Sequence, residues 1–131
     1  MEEKRIKLKD IYRPDPVTIR LDDDLAAAAR HMKQEQVGAL AVLDEAGQLV
    51  GIITERELVR ATVRAAAHPA GVQVSAHASF GPETADIEED SRDVARRMLE
   101  LGVRHLPVTA GDDQPVGMVS MRDLLAVETW M

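Results

Sequence analysis

With 131 residues, 45% of them apolar but only 2% aromatic, the chain builds its core from Val, Ile, Leu, Ala and Met. That composition favours helices on a sheet over aromatic-rich all-β packing, and each half alone, at roughly 60 residues, would be marginal. The net charge of −7 sets the chain against nucleic acid and anionic lipid as partners, and the absence of cysteine excludes disulfides and thiol chemistry.

Residues 1–16 form a leader. Met1-Glu2-Glu3-Lys4-Arg5 lacks the apolar run of a secretory signal. Leu8, Ile11 and Tyr12 read as one short helix that docks on the rest, and Pro14 and Pro16 end it. Two copies of one pattern follow, residues 17–64 and 83–131. A shift of 66 residues lays Leu40-Ala41-Val42 on Leu106-Pro107-Val108, and Val50-Gly51-Ile52-Ile53-Thr54 on Val116-Gly117-Met118-Val119-Ser120. Asp24/Asp90, Arg30/Arg96, Met32/Met98, Arg56/Arg122 and Leu58/Leu124 coincide under the same shift.

Each copy reads as strand, helix, strand, strand, helix. Leu25, Ala28, Ala29 and Met32 recur at helical spacing behind Asp24, a helix cap; Val94, Ala95, Met98 and Leu101 repeat this behind Asp90 or Ser91. The apolar runs Ala39–Leu43 and Leu49–Thr54 flank the turn Asp44-Glu45-Ala46-Gly47. In the second copy Leu106–Thr109 and Pro115–Val119 flank Ala110-Gly111-Asp112-Asp113. Closing helices run from Glu55 to about Ala67 and from Met121 to about Thr129. Residues 65–82 connect the copies; with Pro69, Gly71, Gly81 and Pro82 they are too broken to cross a membrane. The expected fold class is α/β (α+β), two β-α-β-β-α repeats packed about a pseudo-twofold axis, in a cytoplasmic protein.

The hydroxyls of Thr54 and Ser120 stand where a strand gives way to a helix, and free N–H groups at a helix start suit a phosphate. Three residues on, Glu57 and Asp123 place carboxylates on the same turn, where a ribose diol can donate to them, and Arg56 and Arg122 could grip the phosphate. The same Thr-x-x-Glu spacing is also a capping box, which needs no ligand. Glu57 is one methylene longer than Asp123, enough to spoil a ribose fork, so the second copy is the better candidate. His31, His68, His77 and His105 lack zinc spacing. The acidic runs Asp22-Asp23-Asp24 and Glu88-Glu89-Asp90 fit helix capping better than a cation site. No motif of an enzyme appears, and no catalytic or metal-binding residue is expected.

The ordered set, met twice, resembles the cystathionine-β-synthase-type (CBS) domain, two of which in tandem are called a Bateman module. Gly102-Val103-Arg104-His105-Leu106-Pro107-Val108 and Val116-Gly117-Met118-Val119-Ser120-Met121-Arg122-Asp123 carry the resemblance best. It implies a regulatory module without catalysis or a required cofactor, binding AMP, ADP, ATP or another adenosine derivative in clefts between the repeats. Thr18, Ile19, Thr84 and Ala85 would offer backbone groups to adenine. Gly38 and Ala39, and Arg104, His105, Leu106 and Pro107, would line the opposite walls. It further implies a homodimer and a separate regulated protein. The alternatives are a dimerisation or scaffold module with vestigial clefts, joined through leftover apolar stripes and Trp130-Met131, or a metal-ion sensor.

Overall fold

The computed structural model describes residues 5–65, 69–111 and 114–130. Residues 1–4, 66–68, 112–113 and 131, and the side chains of residues 64, 65, 69 and 128–130, lie outside the described residues, so the sequence readings that fall on them, Trp130-Met131 among them, do too. The elements run β1 (Arg13–Pro14), β2 (Thr18–Arg20), α1 (Leu25–Glu35), β3 (Ala39–Leu43), β4 (Leu49–Thr54), α2 (Glu55–Ala65), β5 (Ser79–Phe80), β6 (Ala85–Asp86), α3 (Ser91–Leu101), β7 (His105–Thr109), β8 (Pro115–Ser120) and α4 (Met121–Trp130). Single 3-10 turns occupy Leu8–Asp10, Pro69–Gly71 and Val74–Ala76. No described helix is long and apolar enough to cross a membrane.

The chain divides into two compact units, Val17–Pro82 and the pairing of Met1–Pro16 with Glu83–Met131. In the first, a four-stranded sheet runs β2-β3-β4-β5, with β2 parallel to β3 and the other pairs antiparallel. Ile19, Leu40, Val42 and Ile53 on the sheet close a core with Leu25, Ala28 and Met32 of α1 and Ala61 of α2. In the second, the sheet runs β1-β8-β7-β6. Val94 and Met98 of α3 and Leu124 of α4 pack on Leu106, Val108 and Val119. The fold is therefore mixed α+β, as the patterning predicts.

Helix boundaries follow local chemistry. Asp24 accepts a 2.8 Å hydrogen bond from the Ala27 amide and Asp90 one of 2.8 Å from the Arg92 amide, so Asp90 rather than Ser91 caps α3. At the far ends Gln36 and Gly102 take left-handed conformations, φ 57° and 72°, which stop each helix at matching places. The buried stripe is narrower than the sequence spacing predicts. Leu25, Ala28 and Met32 are buried, but Ala29 is exposed; Ser91, Val94 and Met98 are buried, but Leu101 is exposed and Ala95 only half covered. Positions i, i+3 and i+7 face the sheet, and the neighbour at i+4 turns past its edge. Ser91 holds the place of Leu25, and its hydroxyl hid it from a search for apolar periodicity.

The leader's short helix is a single 3-10 turn, Leu8–Asp10, with Leu8 buried in the second unit's core and Ile11 and Tyr12 packed against it. The segment then adds β1 to the edge of the second sheet, which the sequence reading did not foresee, with Arg13 opposite Met118 and Pro14 opposite Gly117. Proline is tolerated there because an edge strand has one side without a ladder. The connector does the same for the first sheet, with Ser79 opposite Ile52 and Phe80 opposite Gly51. Under the 66-residue shift these two segments are copies of each other. Leu8 donates to the Glu89 carbonyl (3.0 Å) as Val74 does to Asp23 (2.7 Å). Lys9 donates to Ile87 (2.9 Å) as Ser75 does to Leu21 (3.1 Å), and Ser91 to Ile6 (2.8 Å) as Leu25 to Val72 (2.9 Å). Asp15 and Gly81, with φ 57° and 59°, donate to Val116 and Val50, both at 3.1 Å. The duplication thus starts near residue 7, and each body carries the arm that precedes the other in sequence.

Candidate functional site

In the second unit the residues singled out by sequence gather at one end of the sheet. His105 opens β7 directly across the ladder from Ser120, the last residue of β8. The Met121 amide donates to the Arg104 carbonyl at 2.8 Å, which binds the start of α4 to the start of β7. The Ser120 amide donates to Asp123 Oδ2 and the Asp123 amide donates to Ser120 Oγ, each at 3.0 Å. This is a reciprocal capping box, so the first turn of α4 is ordered without any ligand. Among the described residues no protein donor meets Asp123 Oδ1. The Arg104 and Arg122 side chains are exposed, and His105 is half-buried.

Leu106, Pro107 and Ala85 are buried, and Leu106 and Ala85 belong to the core. They have only backbone groups to offer. The Thr84 carbonyl is already engaged, accepting a 2.7 Å bond from Arg97 Nη1. Sequence reasoning missed Arg97; its counterpart in the first copy is His31, and the mismatch is the signal that could have found it.

The first unit has the same plan with different chemistry. Ala39 stands across the ladder from Thr54, and the Glu55 amide donates to the Gly38 carbonyl at 3.0 Å. The longer Glu57 side chain folds back so that Oε2 takes both the Thr54 amide (2.9 Å) and the Thr54 hydroxyl. Its other oxygen, Oε1, accepts from the Ser79 hydroxyl of β5 at 3.4 Å. Both carboxylate oxygens therefore have protein donors. Thr18 is exposed and Ile19 buried in the core, and Arg56 is exposed.

The acidic runs are occupied by the protein. Asp23 accepts from the Arg20 amide at 3.0 Å, and Asp24 and Asp90 cap helices. Glu88 pairs with Lys7 at 2.7 Å, and Glu89 with Arg97. Among the described residues, no three His, Asp or Glu groups are arranged to hold a metal ion.

The family profile of the CBS domain matches residues 8–64 and 78–128. An uncharacterised protein of Methanopyrus kandleri is 26% identical over 130 residues, 98% of this chain, and the chain spans 65% of that relative's length. The CBS domain pair of protein MJ0100, in complex with methylthioadenosine and S-adenosyl-L-methionine, superposes with a TM-score of 0.88 at 23% identity. That match covers 97% of this chain and 98% of the other. CBSX2 in complex with AMP gives 0.79 at 19% identity, over 95% and 96% of the two chains. At such identities the two structures share the fold.

Proposed function

Because the chain belongs to the CBS domain family, we propose that it is a non-catalytic regulatory module that binds an adenosine-containing nucleotide, AMP, ADP or ATP. The ligand seats at the β8–α4 junction of the second repeat. One observation carries this: Asp123 Oδ2 holds the Ser120 amide at 3.0 Å, and among the described residues no protein donor meets its Oδ1. A ribose hydroxyl can donate to the clear oxygen, and Arg104 and Arg122 stand exposed nearby for the phosphate. Glu57 has both oxygens tied, so the first repeat is the poorer site. The adenosine ligands of MJ0100 and CBSX2 support the ligand class. Binding that favours one conformation would bias a separate regulated protein, by differential affinity. We place the module in the cytoplasm, a setting with which its acidic balance agrees.

A thermal-shift panel of AMP, ADP, ATP, S-adenosylmethionine and NADH tests it. A true ligand at 100 times its Kd adds about 2.7 kcal/mol, and one of the adenine nucleotides is expected to do so. A panel in which none shifts the transition refutes the assignment.

A second reading is favoured by the surface of the same unit. Ala95, Leu99, Met121, Leu124 and Leu125 line a groove of about 250 Å³ between α3 and α4, rimmed by Arg92 and Arg96. Leu99 and Leu125 are 74% and 58% exposed, unusual for leucines on neighbouring helices. This face supports a homodimer, which native mass spectrometry would reveal as twice the chain mass.

A further inference from the structure

The leader is seated by chain that lies far from it in sequence. The Leu8 amide donates to the Glu89 carbonyl at 3.0 Å and the Lys9 amide to Ile87 at 2.9 Å, while Ile6 accepts from the Ser91 amide at 2.8 Å. Leu8 is buried in one cluster with Val94, Met98 and Leu124. Lys7 pairs with Glu88 at 2.7 Å, and β1 lies along β8. Residues 83–131 thus form a notch fitted to segment 6–14. Such a notch recognises the segment, not the copy of the chain that supplies it.

Only Asp15 and Pro16 stand between that segment and the first unit, which begins at Val17. Each arm ends in a link of this kind: Asp15-Pro16 follows β1, and Gly81-Pro82 follows β5. Asp15 and Gly81 both take left-handed backbone, φ 57° and 59°. Glycine does so freely, whereas a side chain brings its Cβ against the following carbonyl oxygen. Pro16 adds to the conflict, because a proline pushes the residue before it towards extended backbone. The leader hinge is therefore strained where the connector hinge is not.

Extending Asp15 relieves that strain and carries the arm away from its own notch. A second copy opened in the same way offers an identical notch. Reciprocal docking restores the backbone bonds, the buried Leu8 and the Lys7–Glu88 pair, and leaves both hinges relaxed. Opposing it is the lost freedom of two chains joined as one. Short hinges under strain favour this exchange. We infer that the notch on residues 83–131 is an interaction site for the leader of a second copy, with Asp15-Pro16 as the hinge of an arm-exchanged dimer. Such a dimer needs neither the nucleotide site nor the α3–α4 groove. A dimer joined at the groove keeps each leader on its own chain.

The test exploits the contact between Lys7 and Glu88. Isotope-labelled and unlabelled chains are unfolded together, refolded at high concentration and separated by size exclusion. Carbodiimide then condenses the Lys7 amine with the Glu88 carboxyl into an amide, with loss of water, and peptide mass spectrometry reads which copies are joined. In the dimer about half of these cross-links are expected to join a labelled to an unlabelled chain, the value for random reciprocal exchange. In the monomer none do. Asp15→Gly is expected to lower the dimerisation constant about tenfold, because the closed hinge is no longer strained. Absence of a dimer, a dimer with only like-labelled cross-links, or an unchanged constant in Asp15→Gly overturns the inference.

Discussion

Gly117 yields its side-chain space to Tyr12: a Cβ built there lies 2.3 Å from Tyr12 Cδ2 and 2.3 Å from the Arg13 carbonyl oxygen. The matching Gly51 would meet the Ser79 carbonyl oxygen at 2.7 Å. In both sheets a glycine lets the arm strand cross close to its neighbour. The obstructing oxygens are backbone, which cannot swing aside. Gly117→Ala is expected to destabilise by about 1–3 kcal/mol, the range for forced overpacking, and Gly51→Ala by less. Thermal melts of the two variants check the size and the order; a neutral Gly117→Ala would show that the arm does not pack there.

Leu8 is fully buried in the core of the second unit, more than seventy positions from the rest of it. Leu8→Ala should therefore cost about 2–5 kcal/mol, as a core truncation does, although it lies in a stretch that reads as a peripheral leader. Chemical denaturation measures this directly, and a cost within the ordinary ±0.5 kcal/mol of surface changes would contradict the packing.

At the candidate site, charge and capping can be separated. Asp123→Asn keeps an oxygen for the Ser120 amide but loses the negative charge that a ribose diol prefers. Asp123→Ala loses both. Asn is expected to abolish nucleotide binding with little change in the unliganded melting temperature, and Ala to abolish binding while also costing roughly 1 kcal/mol of helix capping. Calorimetric titration of the native protein is expected to show one nucleotide per chain. Two equivalent sites would mean that Glu57 releases Thr54 and Ser79 more readily than their hydrogen bonds imply.

Docking of the leader has a pH window. The hydrogen bond from Lys7, and then its charge, hold the Glu88 carboxyl below its ordinary 4.5; the same contact raises Lys7 above 10.5. A lowered carboxyl favours the docked arm above pH 4.5 and loses that contribution as pH falls through the lowered value. A raised ammonium contributes below 10.5 and loses it as pH climbs through the raised value. Both groups are exposed, so the effect is small and weakened by salt. Amide exchange at Leu8 and Lys9 should be faster in Glu88→Gln than in the native protein at neutral pH. The difference should shrink as pH falls below 4.5 and vanish once it passes the lowered value of Glu88; a constant difference would exclude the ion pair as its cause.

How much of this was legible in the sequence depended on which signal each residue carried. Strands β3 and β4 were readable to the residue, because continuous apolar runs ended at Asp44 and began again after Gln48. Asp24 was readable as a cap. Ala29 and Leu101 were misread because apolar periodicity cannot say how wide the covered arc is. The arms were not readable as strands. Segments 7–16 and 73–82 keep only Pro16/Pro82 identical, and what they share is backbone hydrogen bonding, which leaves little trace in side chains. At the site, the Ser120/Asp123 spacing was visible, but the choice of Glu57 for Thr54 and Ser79 depends on the neighbouring β5. Arg97 carries no sequence signal beyond its mismatch with His31, and its bond to the Thr84 carbonyl depends on the tertiary fold.

The traded arms give the chain a property that a string of two self-sufficient beads would lack. Severing it between residues 66 and 72 would leave one fragment with the arm its companion requires, and the other in the same predicament. Neither piece could satisfy its sheet edge without its counterpart. Reassembly from two fragments would then be a recognition event in its own right, encoded by a backbone that treats its own halves as strangers to be matched.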